Sequence, residues 1–409
     1  MRMEALSRLS PRARDSVICV ALFTFGMLLA LPHFWESPQW NPDALFYQAQ
    51  IHQLQGEGRY RALDKVFASA LASREKAREA ASPPSLQRID NSAWVDYSSR
   101  FYRRRWTVPL LADAISPIGG TDSLEYVSLI GFALIAPLAY LLLRSRFRPL
   151  VSAASAVFCT LLPPLLALLP HPNTDTWGLA LLLAALIVAL RLHTGGWRWL
   201  PLWILVILVL SFTRDDAIVA LTGVAGLAWS NRSRVLLVAT ATGVLASLLA
   251  PLLFASPVKA NLAYVLNDYR IPAHTGWDAI VSKYPGALGS LIKLDFRYPV
   301  ESAVPVLTFA MGLVVLAGLA MLLFRRQQNG PLVRIARGSL VGAAITILVS
   351  VNYTAMRLEL VFLPAVAVGV ALLLEYLLAR ITQPRRIAAE PAPGGGRPVQ
   401  SAPAAAGAS

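Results

Sequence analysis

The chain has 409 residues, of which 56% are hydrophobic and only 15% are charged, and its formal net charge is +14. Its mean hydropathy is +0.54, and its apolar runs repeatedly approach ~20 residues, the length that crosses a bilayer as a helix. These features exclude a soluble globular domain. Because the bilayer core offers no water to the backbone, the runs are predicted to be helices, so the fold class is all-α, a polytopic integral membrane protein.

About ten membrane-spanning helices are predicted in chain order. They lie near 16–34, 123–143, 150–170, 176–193, 198–213, 216–230, 234–256, 301–324, 338–351 and 360–379. Residues 1–15 precede a transmembrane domain over 16–382, and the tail 383–409, rich in Pro, Gly and Ala, is predicted to be disordered. Two long polar segments, 35–122 and 257–300, are predicted to be large outer loops.

The basic residues indicate the orientation of the chain in the membrane. With the N-terminus inside, arginine-rich turns such as 144–148 and 231–234 lie on the cytoplasmic side, as the positive-inside rule requires. The basic residues of 35–122 do not contradict this layout, because loops beyond ~60 residues translocate largely regardless of charge. We therefore expect a multi-pass protein of the cell membrane, a bacterial inner membrane, with both termini cytoplasmic. Its positive charge then reflects orientation, so membrane lipid and not nucleic acid is the expected partner.

The first outer loop is predicted to carry interfacial helices. A short helix begins at Pro42, which suits a first helical turn. A second helix covers about 61–80, where apolar residues recur at the spacing typical of a helix that lies in the interface plane. The apolar run 106–118 is too short to span and is interrupted by prolines, so we interpret it as a re-entrant or interfacial helix.

Asp43 and three consecutive arginines are the main candidate functional residues of this loop. Asp43 lies just past the first predicted span, where partial desolvation and neighbouring charges tune a carboxylate for general-base work. The alternative is that it only caps or solvates the first helical turn. Arg103, Arg104 and Arg105 stand between aromatic residues and suit a phosphate or diphosphate headgroup, because guanidinium binds phosphate bidentately. Ordinary anchoring to anionic lipid is the other interpretation.

Further candidates lie in shorter predicted outer turns. Asp175 shares the turn 171–175 with His171, and together with Asp43 it would allow acid–base work or binding of a hard cation. Local turn chemistry explains a lone aspartate equally well. Arg357 stands between the last two predicted spans, and an arginine so close to hydrocarbon either snorkels, pairs or meets an anion. The nucleotide, metalloprotease, serine-hydrolase and dithiol motifs GxxxxGK[ST], HExxH, GxSxG and CxxC do not occur.

Several short motifs resemble the GT-C superfamily of polytopic membrane glycosyltransferases. A first span followed by Asp43, with Tyr47 four residues later, resembles the start of the first outer loop of those enzymes. The run from Arg105 to Ala112 is similar to their Arg-x-x-x-Pro-Leu-x-Ala run before the second span. The segment 211–214, Ser-Phe-Thr-Arg, resembles a recurring Thr-Arg turn. Met-Arg at 356–357, followed by Leu-Pro-Ala at 363–365, is similar to a late Arg…Pro element.

The resemblance implies an enzyme, an inverting hexosyl- or pentosyltransferase. Such enzymes move a sugar from a polyprenyl-phosphate-linked donor to a glycan or lipid acceptor on the outer face. By position, Asp43 would deprotonate the acceptor hydroxyl, Arg105 and Arg357 would bind the donor phosphate, and Tyr47 would join the substrate site. Many relatives show two closely spaced acids where this chain has Asn41-x-Asp43. The metal dependence is therefore open: a divalent cation is one alternative, and no cofactor is assigned.

Two other functions remain as alternatives. A transporter or flippase of lipid-linked sugars would place ionisable groups or broken helices near the bilayer midplane and often shows inverted repeats. Here the charges concentrate at the ends of the predicted spans and no repeat is evident. A non-catalytic membrane protein is the third interpretation, and the absence of a polar cavity around Asp43 would favour it.

Overall fold

The computed structural model describes residues 10–35, 42–76, 91–169, 171–214, 216–254, 258–267, 270–273, 276–301, 305–325, 330–350 and 360–382. Within these ranges the chain is almost entirely helical and contains no β-strand. The all-α prediction is confirmed. The predicted disordered tail, 383–409, lies outside the described residues.

The described residues contain seventeen α-helices. They are α1 Pro11–Trp35, α2 Pro42–Leu54, α3 Arg59–Lys76, α4 Ser92–Tyr102, α5 Thr107–Gly119, α6 Ser123–Arg144, α7 Pro149–Thr160, α8 Pro163–Leu166, α9 Asp175–Gly195, α10 Leu200–Ser211, α11 Ala217–Asn231, α12 Arg234–Leu253, α13 Val258–Leu266, α14 Trp277–Glu301, α15 Pro305–Phe324, α16 Pro331–Ser350 and α17 Leu363–Thr382. Short 3₁₀ turns cover Gly120–Asp122, Gly196–Trp199 and Leu360–Phe362.

Seven helical segments of the described residues are long and apolar enough to cross a membrane, which identifies a multi-pass membrane protein. They are Pro11–Pro32, Ser123–Arg144, Asp175–Ser211, Arg234–Leu253, Val306–Phe324, Pro331–Leu348 and Leu360–Ile381. The predicted spans near 150–170 and 216–230 correspond to the shorter apolar helices α7 and α11. Ten crossings, and the cytoplasmic position of the termini, therefore stay predictions.

The longest of these segments, Asp175–Ser211, has 37 residues and contains two predicted spans. Gly196 has a φ of +68°, a left-handed conformation that glycine adopts without steric cost. The chain reverses at this point, because Arg214, just after α10, forms an ion pair with Asp175 at the start of α9. The segment is therefore an antiparallel hairpin of α9 and α10.

The main hydrophobic core lies between the long helices and is packed closely at small residues. A Cβ on Gly338 of α16 would lie 2.4 Å from the Thr222 carbonyl oxygen of α11, so the two backbones touch. Small residues permit this approach, which is typical of helix pairs in membranes. Helix α15 lies at the surface of the bundle. Its Val306 and Phe324 are 82% and 80% exposed, as expected for a lipid-facing helix.

Helices α2, α3 and α4 form a second, smaller core, which we call the α2–α4 lobe. Its buried side chains include Phe46 of α2, Leu63 and Phe67 of α3, and Trp94 of α4. The apolar face of α3, which suggested a helix lying in the interface plane, thus packs against other helices of the protein. The described part of α3 begins at Arg59 and ends at Lys76.

Helix α5 is the short helix predicted from the apolar run 106–118. Its 13 residues give a length of about 20 Å, less than the ~30 Å of a bilayer core. Its buried Val108 and Ala112 share a cluster with Tyr47 and Ile51 of α2, so α5 fixes α2 against the bundle. The predicted second loop, 257–300, contains α13 and most of α14.

Candidate active site

Helix α2 carries three polar side chains along one face. Pro42 opens the helix and Asp43 lies in its first turn, where the positive end of the helix dipole favours a carboxylate. Asp43, Tyr47 and Gln50 follow at the spacing i, i+4 and i+7, which places them one above the other on a helix. This face is directed towards the end of α4, because each of the three side chains contacts Tyr102.

Tyr102, the last residue of α4, is the centre of this arrangement. Its hydroxyl donates a hydrogen bond to Oδ1 of Asp43, and its ring stacks on Phe46 with 4.6 Å between centroids. Desolvation, and then the negative charge of Asp43, raise the pKa of the Tyr102 hydroxyl well above its usual range. Tyr102 therefore stays protonated at neutral pH and remains a hydrogen-bond donor to the carboxylate.

Arg105 contacts the same tyrosine. Its guanidinium carbon lies 5.5 Å from the centroid of the Tyr102 ring, and its Nη1 donates to the Tyr47 hydroxyl oxygen at 3.0 Å. Asp43 and Arg105 are thus both in contact with Tyr102. The structure brings together three of the predicted site residues, Asp43, Tyr47 and Arg105.

Tyr47 connects this cluster to the start of α9. Its hydroxyl shares a hydrogen bond of 3.0 Å with Oγ1 of Thr174, the residue before Asp175. Asp175 is 2% exposed and forms an ion pair with Arg214, whose Nε also lies 3.3 Å from Oδ2 of Asp216. The charge of Asp175 is therefore balanced within the protein, which suits a role in holding Arg214 in place.

The three consecutive arginines diverge, because they lie in the irregular connection between α4 and α5. Arg104 is buried, at 9% exposed, and lines a cavity of about 430 Å³ together with Arg214. The rest of this cavity is mainly apolar and comes mostly from α11 and α12, with Ile218 and Val244 among its walls. Two guanidinium groups thus lie beside the apolar walls of this cavity.

Arg103 lines a different, smaller cavity of about 160 Å³ together with Arg59. This cavity lies between the α2–α4 lobe and the side chains of Trp106 and Phe254. Burial, and then the positive charges of Arg59 and Arg100, lower the pKa of the Arg103 guanidinium. Arg103 and Arg104 thus line different cavities, and Arg105 contacts Tyr102 and Tyr47. That the three arginines bind one phosphate group stays a prediction.

The remaining predicted residues are less directly connected to this site. His171 is half-buried, and its backbone carbonyl accepts a hydrogen bond from Nδ2 of Asn173 at 2.9 Å. Arg357 lies outside the described residues. Within the described part of the chain, no group of three or more His, Cys, Asp or Glu side chains is arranged to hold a metal ion, and metal dependence stays an open prediction.

Sequence reasoning did not assign a role to four residues that the structure places in or beside the site. Tyr102 and Trp106 flank the arginine run, and Gln50 follows Asp43 by two helical turns. Arg214 belongs to the Thr-Arg turn that carried part of the resemblance. Only their positions in the sequence, near predicted site residues, could have indicated these four residues. A position in the sequence does not show which helices are in contact.

No model of a known protein family matches this chain, and a search among curated proteins finds no relative. The functional conclusion therefore depends on the site and on the short motifs that resemble the GT-C superfamily.

Proposed function

We propose that this membrane protein is a glycosyltransferase of GT-C type. It transfers a sugar from a polyprenyl-phosphate-linked donor to an acceptor on the outer face of the cell membrane, and both termini are cytoplasmic. The observation that carries the proposal is the convergence of Asp43 and Arg105 on Tyr102. In the proposal, Asp43 is the proton acceptor and Arg105 binds the donor phosphate.

In the proposed reaction, the acceptor hydroxyl oxygen forms a bond to the anomeric carbon of the donor sugar. The bond from that carbon to the phosphate oxygen breaks, and the polyprenyl phosphate leaves with the electron pair. The carboxylate of Asp43 takes the proton of the hydroxyl, which is general-base catalysis. Tyr102 orients this carboxylate through its hydrogen bond.

The larger cavity supports the same proposal, because its lining suits the lipid-linked donor. Its apolar walls suit an isoprenoid chain, and Arg104 and Arg214, which also line it, suit the donor phosphate together with Arg105. Arg214 is held by Asp175 and Asp216, so it is pre-oriented before a ligand binds. Hydrogen bonds from cationic donors to a leaving phosphate contribute about 1.5–3 kcal/mol each.

The test is transfer in proteoliposomes by the Asp43→Asn variant with a radiolabelled polyprenyl-phosphate sugar. We expect turnover to fall by a factor of about 10² to 10⁴, the usual contribution of a general base. Asp64→Asn is the matched control, because Asp64 is an exposed aspartate of α3 and its replacement should leave turnover unchanged. Undiminished turnover in Asp43→Asn would remove the proposed base.

The same vesicles separate an enzyme from a flippase. A lipid-linked sugar that crosses the bilayer without appearing on any acceptor, at a rate insensitive to Asp43→Asn, would favour transport. Transfer that depends on Asp43 would favour the enzyme.

A further inference from the structure

Two arginines from different helices contact one tyrosine at the end of the bundle where α15 and α17 finish. The guanidinium carbon of Arg325, the residue after α15, lies 4.5 Å from the centroid of the Tyr376 ring. The guanidinium carbon of Arg380 lies 5.3 Å from the same centroid. Tyr376 and Arg380 stand one turn apart on α17. We call Arg325 and Arg380 the arginine pair.

The arginine pair is brought together by close packing of α15 against α17. A Cβ on Gly369 of α17 would lie 2.6 Å from the Gly318 carbonyl oxygen of α15, so the two backbones touch. Arg337 of α16 binds the end of α15, because its Nε donates to the Leu322 carbonyl oxygen at 2.7 Å and its Nη2 to the Arg325 carbonyl oxygen at 3.1 Å. The backbone that carries Arg325 is therefore fixed by two neighbouring helices.

Positive charge is in excess around the arginine pair. Helices α15, α16 and α17 contain a single acidic residue, Glu375, which precedes Tyr376. In the part of the chain that the structure describes, the side chains of Arg325, Arg380 and Glu375 form no ion pair. Even with Glu375 counted, the arginine pair and Arg337 leave a positive balance. Two cations beside one ring repel each other unless an anion lies near them, so this arrangement favours an anionic ligand.

The surface beside the arginine pair is apolar and open to lipid. Phe324 and Ile381, which are neighbours of the pair in the chain, are 80% and 79% exposed. Leu377, the residue after Tyr376, is exposed as well. Cations at the end of an exposed apolar surface match a phospholipid, whose acyl chains lie along the helices and whose phosphate lies at their ends. A free phosphate ion would make no use of the apolar side chains.

The arginine pair lies at the membrane surface that is predicted to be cytoplasmic. The connection between α15 and α16 is close to the arginine-rich turn 144–148, because a Cβ on Gly330 would lie 4.0 Å from Nη1 of Arg146. Basic pockets between membrane-spanning helices at this surface bind the phosphate groups of lipid heads.

We propose that the arginine pair binds an anionic phospholipid of the membrane. Its phosphate accepts hydrogen bonds from Arg325 and Arg380, and its acyl chains lie against the exposed apolar side chains of α15 and α17. A lipid bound here connects the ends of two helices, so it also stabilises the folded protein. This inference is independent of the proposed transfer reaction, because it involves neither Asp43 nor the two cavities.

The experiment measures lipid binding to the full-length protein by native mass spectrometry in detergent. The probes are anionic dioleoylphosphatidylglycerol, dioleoylphosphatidylcholine, which has no net charge, and glycerol 3-phosphate, which has no acyl chain. We expect saturable binding of the anionic lipid, about tenfold or more tighter than that of phosphatidylcholine. Equal affinity for the two lipids would overturn the proposal. Equally tight binding of glycerol 3-phosphate would also overturn it, because the site would then bind a free phosphate.

Variants test whether the arginine pair is the place of binding. Arg325→Gln and Arg380→Gln should each weaken binding of the anionic lipid about tenfold, and lysine at either position should restore part of the affinity. Tyr376→Phe should leave the affinity unchanged, because the ring that both guanidinium groups contact is kept. Full affinity in either glutamine variant would overturn the proposal.

The matched control is Arg234→Gln. Arg234 is an exposed arginine at the start of α12, and it belongs to another turn that is predicted to be cytoplasmic. Its replacement removes the same charge and should leave the affinity for the anionic lipid unchanged. A loss equal to that of Arg325→Gln would show attraction to the overall charge of the surface, and the proposal would be wrong.

Thermal melts in nanodiscs give a second measurement. The wild-type protein should melt at a higher temperature in phosphatidylglycerol than in phosphatidylcholine, because a ligand that binds only the folded protein stabilises it. Arg325→Gln should reduce this difference and Arg234→Gln should keep it. Equal melting temperatures of the variant and the wild type in phosphatidylcholine would show that the variant is folded. A difference between the two lipids that stays the same size in Arg325→Gln would contradict the proposal, because the stabilisation would then come from another site.

Discussion

The hydrogen bond between Tyr102 and Asp43 gives the most discriminating test of the proposed site. The change Tyr102→Phe removes only the hydroxyl that donates to the carboxylate and keeps the ring that contacts Phe46 and Arg105. A hydrogen bond to a charged group contributes about 1.5–3 kcal/mol. Since each 1.36 kcal/mol is a factor of about ten in rate, kcat/KM for transfer should fall by a factor of about 10 to 100.

The pH dependence of this effect follows from the raised pKa of Tyr102. The pKa of the Tyr102 hydroxyl lies above its ordinary value near 10, so the hydroxyl keeps its proton at every pH near neutrality. The ratio of wild-type to variant kcat/KM should therefore be constant across neutral pH. Transfer in proteoliposomes, with the donor concentration varied, measures it.

The matched control is Tyr60→Phe, which makes the same replacement at a tyrosine that is 66% exposed. It should leave kcat/KM unchanged. If Tyr102→Phe also leaves kcat/KM unchanged while Asp43→Asn abolishes transfer, then Tyr102 does not orient the base, and the reasoning is wrong.

Three further predictions concern the larger cavity, the packing of α16 against α11, and the α2–α4 lobe. Arg104→Gln should raise the KM for the lipid-linked donor about tenfold, because it removes a buried cation from the cavity; an unchanged KM would contradict this. Gly338→Ala should destabilise the fold by about 1–3 kcal/mol in thermal melts, because its Cβ would meet the Thr222 carbonyl oxygen. Burial, and then the charge of Lys65, lower the pKa of His52 in the folded protein. As the pH falls, the unfolded chain therefore binds a proton at His52 before the folded protein does. Stability should therefore decrease as the pH falls through about 6.5, and His52→Gln should remove that part of the decrease in melts across this range.

Sequence patterns predicted the part of the site whose residues are close in the sequence. Asp43 and Tyr47 stand one helical turn apart, so their common face follows from the period of a helix. The same period, and the length of a bilayer crossing, predicted α1, α5, α6 and the later apolar helices from local composition alone. Local patterns are reliable here because helix formation in lipid depends on the segment itself.

Contacts between distant segments were decided by the tertiary structure. Asp43 and Tyr102 are separated by 59 positions, and Asp175 meets Arg214 only because α9 and α10 fold back on each other. Arg103 and Arg104 are adjacent in the sequence, yet in the turn between α4 and α5 they line different cavities. A turn has no fixed period, so the direction of each of its side chains depends on the helices packed around it, which no local pattern records.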